Sequence, residues 1–167
     1  MSHTEHRASA PDHIRCYVIT VSDTRTEATD TGGKLLRELL IKEGHRIVGH
    51  TIVRDEPAVL RTAIEHQLTA SNVQVIITTG GTGISRRDGS YEVVTELLEK
   101  SLDGFGELFR SLSFTEIGPS AMLSRACAGT AQGKILFSLP GSKNAVRLAL
   151  TELILPELGH LVREVTR

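Results

Sequence analysis

The chain has 167 residues, a formal net charge of -1, 40% hydrophobic residues and 23% charged residues. One globular domain of roughly 100–200 residues has that size and composition. Such a chain buries about 68–70% of its unfolded surface, so it needs neither disulfides nor a structural metal. The near-zero charge excludes a protein that holds duplex DNA through many Lys and Arg on phosphates. Cys16 and Cys127 stand far apart and form no C-x-x-C pair, and the His residues show no H-x-x-x-H spacing. Both thiols are read as reduced and buried. No run reaches the roughly 18 apolar residues of a membrane span, and residues 1–13 (MSHTEHRASAPDH) lack an apolar signal-peptide core. The expectation is a cytoplasmic protein, with 1–13 a flexible tail ahead of a domain over 14–167.

In chain order, IRCYVITV (14–21) reads as a strand and SDTRTEATDTGG as a polar loop. Leu35, Leu36, Leu39 and Leu40 recur at helical spacing from Gly33 to Glu43, with Gly44 as terminator. RIVGHTIV (46–53) alternates as a second strand. Asp55-Glu56-Pro57 then opens a helix carrying Val59, Leu60, Ala63, Ile64 and Leu68. The continuous apolar run VQVIITT (73–79) is a strand buried on both faces, running straight into Gly80-Gly81-Thr82-Gly83. Helices are predicted at 91–98, 106–112 and 120–127, a strand at 134–139, and a closing helix at 144–155 that Pro156 kinks or restarts.

Strands alternating with helices predict a single-domain three-layer αβα sandwich with a mostly parallel central sheet. Ligands of such sheets sit outside the carboxyl ends of the strands. Four polar loops leave those ends (22–32, 54–57, 80–90 and 140–144) and should converge on one crevice.

Gly80, Gly81, Thr82 and Gly83 after an apolar strand let backbone N–H groups approach an anion, with a plain tight turn as the other reading. The loop lacks the Lys of a P-loop, the third Gly of a dinucleotide fingerprint and the final Gly of a nucleophile elbow. Arg86 and Arg87 can fork onto phosphate and Asp88 can hold a hard cation; alternatively they are a solvated charge run with Asp88 capping the next helix. Asp55 reads as a helix N-cap, and also as a partner of Asp88 in a Mg²⁺ site completed by water and substrate phosphates. Asp23 and Asp30 are weaker metal candidates. Pro140-Gly141-Ser142 reads as a second anion site with charge added by Lys143, or as a simple cap. Ser124-Arg125 reads as surface.

Together TTGGTGISRRD (78–88), DGFGELFRSLSF (103–114), AMLSRACAG (121–129) and LPGSKNAV (139–146) resemble the MoaB/MogA molybdopterin-binding family, to which gephyrin is related. The likeness runs from Val18 to about Leu158, includes SDTRTEATDTGGKLL, and is closer to MoaB than to MogA. Arg87-Asp88-Gly89-Ser90-Tyr91-Glu92 departs from the family's R-D-x-T-P-E while keeping a hydroxyl at Ser90, and Lys143 replaces a proline.

The resemblance implies a homotrimer or homohexamer that binds molybdopterin and adenylylates it with Mg-ATP, releasing pyrophosphate. It places catalytic and Mg²⁺-binding carboxylates at Asp55 and Asp88. Substrate contacts fall on Gly80, Gly81, Thr82, Gly83, Arg87, Ser90, Pro140, Gly141 and Ser142. In that reaction the substrate's terminal phosphate attacks the α-phosphorus of ATP, so no Ser, Cys or Lys nucleophile is expected. The alternatives are a molybdopterin carrier without turnover and a phosphoanion enzyme acting on another nucleotide; molybdenum and tungsten stay open.

Overall fold

A computed structural model describes residues 11–167. Its strands and helices are β1 (Arg15–Val21), α1 (Thr31–Lys42), β2 (Arg46–Val53), α2 (Pro57–Thr69), β3 (Val75–Thr79), α3 (Ser90–Leu97), β4 (Lys100–Ser101) and α4 (Asp103–Ile117). A 3-10 segment (Gly118–Leu123) leads to β5 (Cys127–Ala131), β6 (Lys134–Leu139), α5 (Lys143–Leu148), a π-helical segment (Ala149–Ile154) and α6 (Leu155–Val165).

One sheet runs β2-β1-β3-β6-β5-β4. The first four strands are parallel, and β5 and β4 extend the sheet antiparallel. Val21 stands opposite Val53, Thr20 opposite Thr79 and Thr79 opposite Leu139, so the four parallel strands end at one edge. The chain winds from β1 to one neighbour, β2, and returns to the other, β3. The gap between the loops after β1 and β3 is therefore the switch point where such sheets bind ligands.

Burial on both sides makes the three layers. Leu35, Leu36 and Leu40 of α1, with Phe109 and Val146, cover one face; Leu60, Ile64, Leu68, Val93 and Val94 of α2 and α3 cover the other. The central strand β3 is buried at every position, as its unbroken apolar run requires.

The expected helix over 120–127 is instead the 3-10 segment followed by β5. Small residues (CAGTA) gave that strand no β-branched signature, and Gly129 is needed because the Lys100 carbonyl lies against it. The helix expected at 106–112 extends over Asp103–Ile117. The expected strand at 73–79 begins at Val75, although Val73 is buried too. Pro156 sits in the first turn of a new helix running to Val165, as one of the two readings expected, and ahead of it the closing helix widens into the π-helical segment. Proline lacks the N–H and crowds the carbonyl four residues back, which a widened turn relieves.

Residues 1–10 of the expected tail lie outside the described residues. Residues 11–13 are exposed, and His13 Nδ1 donates to the Gly44 carbonyl at 2.8 Å. Among the described residues no helix is long and apolar enough to cross a membrane. Both cysteines are free. Burial pushes the Cys16 thiol up to about 12 and the half-buried Cys127 thiol up to about 11, so neither is a thiolate at neutral pH.

Candidate functional site

Asp55 leaves the end of β2 with its carboxylate free of helix capping. Pro57 occupies the first turn of α2 and Glu56 sits in the cap position with no side-chain cap bond. Asp55 instead turns to the loop after β3, where its carboxylate lies against Gly81 and the Gly89 amide favours its charged form. Burial chiefly, and then the nearby Asp88, push its carboxyl above the ordinary value.

Asp88 does not cap the following helix either, because Gly89 is the N-cap of α3. Its Oδ2 accepts the Ser85 amide at 2.8 Å, and its carboxyl lies below the ordinary value, held there first by the Ser85 hydroxyl and then by the amides of Ser85 and Gly83. Backbone donors read as a cradle for an external anion thus turn partly onto the loop's own carboxylate. A Cβ on Gly83 would stand 2.7 Å from Asp88 Oδ2, and one on Gly81 would stand 3.1 Å from Asp55 Oδ1. The glycine turn is the seat of both acids.

Ser90 is buried and locks that turn: its Oγ donates to the Gly80 carbonyl at 2.8 Å and its amide to the Gly81 carbonyl at 3.0 Å. Thr82 is buried beside it. Arg87 forks onto Asp23, with Nη2 at 2.9 Å from both carboxylate oxygens and Nε at 3.1 Å from Oδ2. Asp23 Oδ1 also accepts the Asp55 amide at 3.1 Å, so the loops after β1, β2 and β3 are stitched together. That arginine draws the Asp23 carboxyl below its ordinary value.

The second glycine turn joins the same place. The Pro140 carbonyl accepts the Thr79 hydroxyl at 2.9 Å, and Gly141 packs against Gly80 and Gly32. Ser142 caps α5, accepting the Ala145 amide at 3.2 Å, and remains exposed with Lys143. Between this turn and the first loop lies a polar cavity of about 270 Å³, whose walls include Thr20, Ser22, Arg25, Thr79 and Ser142. A larger groove, about 600 Å³, between β2 and α2 is walled chiefly by apolar side chains such as Val53, Ala58 and Ala63.

Two groups had no reading in the sequence that matches their place. Asp30, a weaker metal candidate, is buried as the N-cap of α1, accepting the Gly33 amide (2.9 Å) and the Thr20 hydroxyl (2.6 Å) beside His50 Nε2 (3.3 Å). Arg125, read as surface, is half-buried and donates to the Gly83 and Asp88 carbonyls. Its pairing spans about forty residues, and local spacing carries no signal of that; only recognition of β5 beside β6 would have brought it near the loop.

Among the described residues no group of three or more His, Cys, Asp or Glu is arranged to hold a metal. Asp55, whose proton affinity is raised by burial and by the nearby Asp88, makes with it a pair that suits Mg²⁺, which takes one or two protein oxygens and leaves its other positions to water and phosphate.

Fold and site together define an α/β protein that gathers two carboxylates and two glycine turns at the switch point of a mostly parallel sheet. The chain belongs to the molybdenum cofactor biosynthesis family, since residues 17–160 match the model described as a probable molybdopterin binding domain. It is 51% identical to molybdenum cofactor biosynthesis protein B of Bacillus cereus over 168 aligned positions, covering 100% of this chain and 99% of that protein. A crystal structure of a molybdenum cofactor biosynthesis protein B superposes with a TM-score of 0.91 at 51% identity, over 94% of this chain and 98% of the other. The tungsten cofactor synthesizing protein MoaB of Pyrococcus furiosus superposes at 0.79 with 40% identity, over 95% and 100%.

Proposed function

We propose that this protein acts in molybdenum cofactor biosynthesis by binding molybdopterin and transferring an adenylyl group to it from Mg-ATP with release of pyrophosphate. The observation that carries the reading is the meeting of Asp55 and Asp88 on one glycine turn, beside the polar cavity walled by Thr79 and Ser142. Family membership and the names of the relatives support the pathway.

The chemistry asks little covalent work of the chain. The pterin phosphate oxygen bonds to the α-phosphorus of ATP as the bond to the β-phosphate bridging oxygen breaks, and pyrophosphate leaves. The protein's task is to hold two anions in line and to offset their charge. Asp55 and Asp88 would hold Mg²⁺, which supplies charge neutralisation at the phosphates. The exposed Ser142 and Lys143 and the open face of the 80–83 turn would receive the pterin phosphate, and Arg87 would reach phosphate on leaving Asp23.

Incubation with molybdopterin, ATP and Mg²⁺ tests the proposal: pyrophosphate should appear only when all three are present. Pterin binding without pyrophosphate would replace it with the carrier reading.

Cytoplasmic location and assembly as a homotrimer or homohexamer belong to the same proposal. Leu108 is 56% exposed on α4, and Phe114 and Ile117 are exposed near its end, whereas Leu112 packs against the core. Leu108→Glu is expected to shift the protein toward monomer in light scattering at micromolar concentration. A wild type that is already monomeric there would refute the assembly.

A further inference from the structure

We infer that Arg125 is a positioning residue for the acidic loop: its guanidinium holds both ends of the turn from Gly83 to Asp88 and so fixes where the Asp88 carboxylate stands. This rests on the adenylyl-transfer reading only for its effect on turnover.

Arg125 Nε and Nη2 donate to the Gly83 carbonyl at 2.9 and 2.7 Å, and Nη2 also reaches the Asp88 carbonyl at 3.2 Å. Its own amide donates to the Thr82 carbonyl at 3.1 Å. The remaining nitrogen, Nη1, pairs with the Glu92 carboxylate, and the guanidinium carbon lies 5.2 Å from the centre of the Tyr91 ring. Glu92 and Tyr91 belong to α3, which begins directly after the loop, so the arginine is braced from the helix while it grips the turn.

This arrangement uses the planar fork. Two carbonyls several residues apart on one loop are gathered by one rigid group, while its face rests on an aromatic ring and its far edge meets a carboxylate. Lysine keeps the charge and lacks the fork. The other side of the loop is held by the Arg87–Asp23 pair, whose side chains are 57% and 39% exposed, so its grip is weakened by solvent. The Arg125 side chain is only 27% exposed, which makes it the firmer anchor.

Arg125→Lys and Arg125→Ala test the assignment with two kinds of readout. Without substrate, the Gly83 and Ser85 amides should exchange hydrogen about tenfold faster, and trypsin should cut faster after the exposed Arg86 and Arg87, with the thermal midpoint nearly unchanged. In the pyrophosphate assay kcat should fall on the order of a hundredfold while KM for molybdopterin stays within about twofold, because misplacing a catalytic group slows chemistry more than it weakens binding. Added guanidinium should partly restore Arg125→Ala and leave Arg125→Lys slow. An Arg125→Lys protein with wild-type exchange, cleavage and kcat overturns the inference, as does a rise in KM with kcat unchanged. If Arg125→Ala does not fold, Arg125→Lys decides alone. If wild type releases no pyrophosphate, the adenylyl-transfer reading has failed separately, and exchange and proteolysis decide whether Arg125 holds the loop.

Discussion

Asp88→Asn is expected to slow pyrophosphate release on the order of a hundredfold or more, and Asp55→Asn by a smaller factor, in initial rates at saturating molybdopterin. Each change removes one charge from the proposed Mg²⁺ site and preserves side-chain shape. A cation that bridges phosphates matters most as charge shifts between them, so kcat should drop further than pterin affinity. Asp88 has the larger role because its carboxylate also organises the turn through Ser85 and Gly83.

The two variants should differ in the sign of their effect on stability. Burial, and then Asp88, raise the Asp55 carboxyl above its ordinary value, so the stability it contributes is present at low pH and is lost as pH rises through the raised value. At pH 7 the charged Asp55 is a net burden on the fold, and Asn relieves it. The Asp88 carboxyl is lowered, so its contribution is present above the ordinary value and is lost as pH falls through the lowered one. Asn forfeits that contribution at pH 7. Thermal midpoints at neutral pH should therefore rise for Asp55→Asn and fall for Asp88→Asn. Wild-type turnover in Asp88→Asn would sink the cation role; midpoints moving in the same direction would sink the electrostatic assignment.

The parallel half of the fold was legible because its strands carry their own signature. β1, β2, β3 and β6 are runs rich in Val, Ile and Leu, and each is followed by a polar loop. The antiparallel edge was not legible, since β4 has two residues and β5 is made of Cys, Ala, Gly and Thr. That gap concealed Arg125, because a residue two places before an unrecognised strand has no assigned position in space. The acids were found by their place at the ends of strands. What each carboxylate bonds depends on loop conformation: Pro57 and Glu56 leave Asp55 uncapped, and the turn at Ser85 draws Asp88 back toward the glycines. Asp23 was ranked low because its ties to Arg87 and to the Asp55 amide join loops more than thirty residues apart.

Gly81→Val is expected to abolish turnover and to lower the thermal midpoint, for two separable reasons. Gly81 has φ +69°, a left-handed conformation that costs an L residue about 1–2 kcal/mol and a β-branched one at least as much. Its Cβ would also overlap Ser90 Oγ and press on Asp55. Ser90 has no easy retreat, because its hydroxyl is bonded to the Gly80 carbonyl and the side chain is fully buried, so overpacking adds about 1–3 kcal/mol. A domain with total stability of about 5–15 kcal/mol survives that loss, weakened. Gly83→Ala provides the comparison. Gly83 is not among the glycines with positive φ, and its Cβ would meet the Asp88 carboxylate first, at 2.7 Å from Oδ2. That variant should keep most of the stability and still lose turnover, since the displaced group is one of the two acids. Circular-dichroism melting beside the pyrophosphate assay separates the two effects. Should Gly83→Ala turn over at the wild-type rate, the glycine turn would not be the seat that positions Asp88.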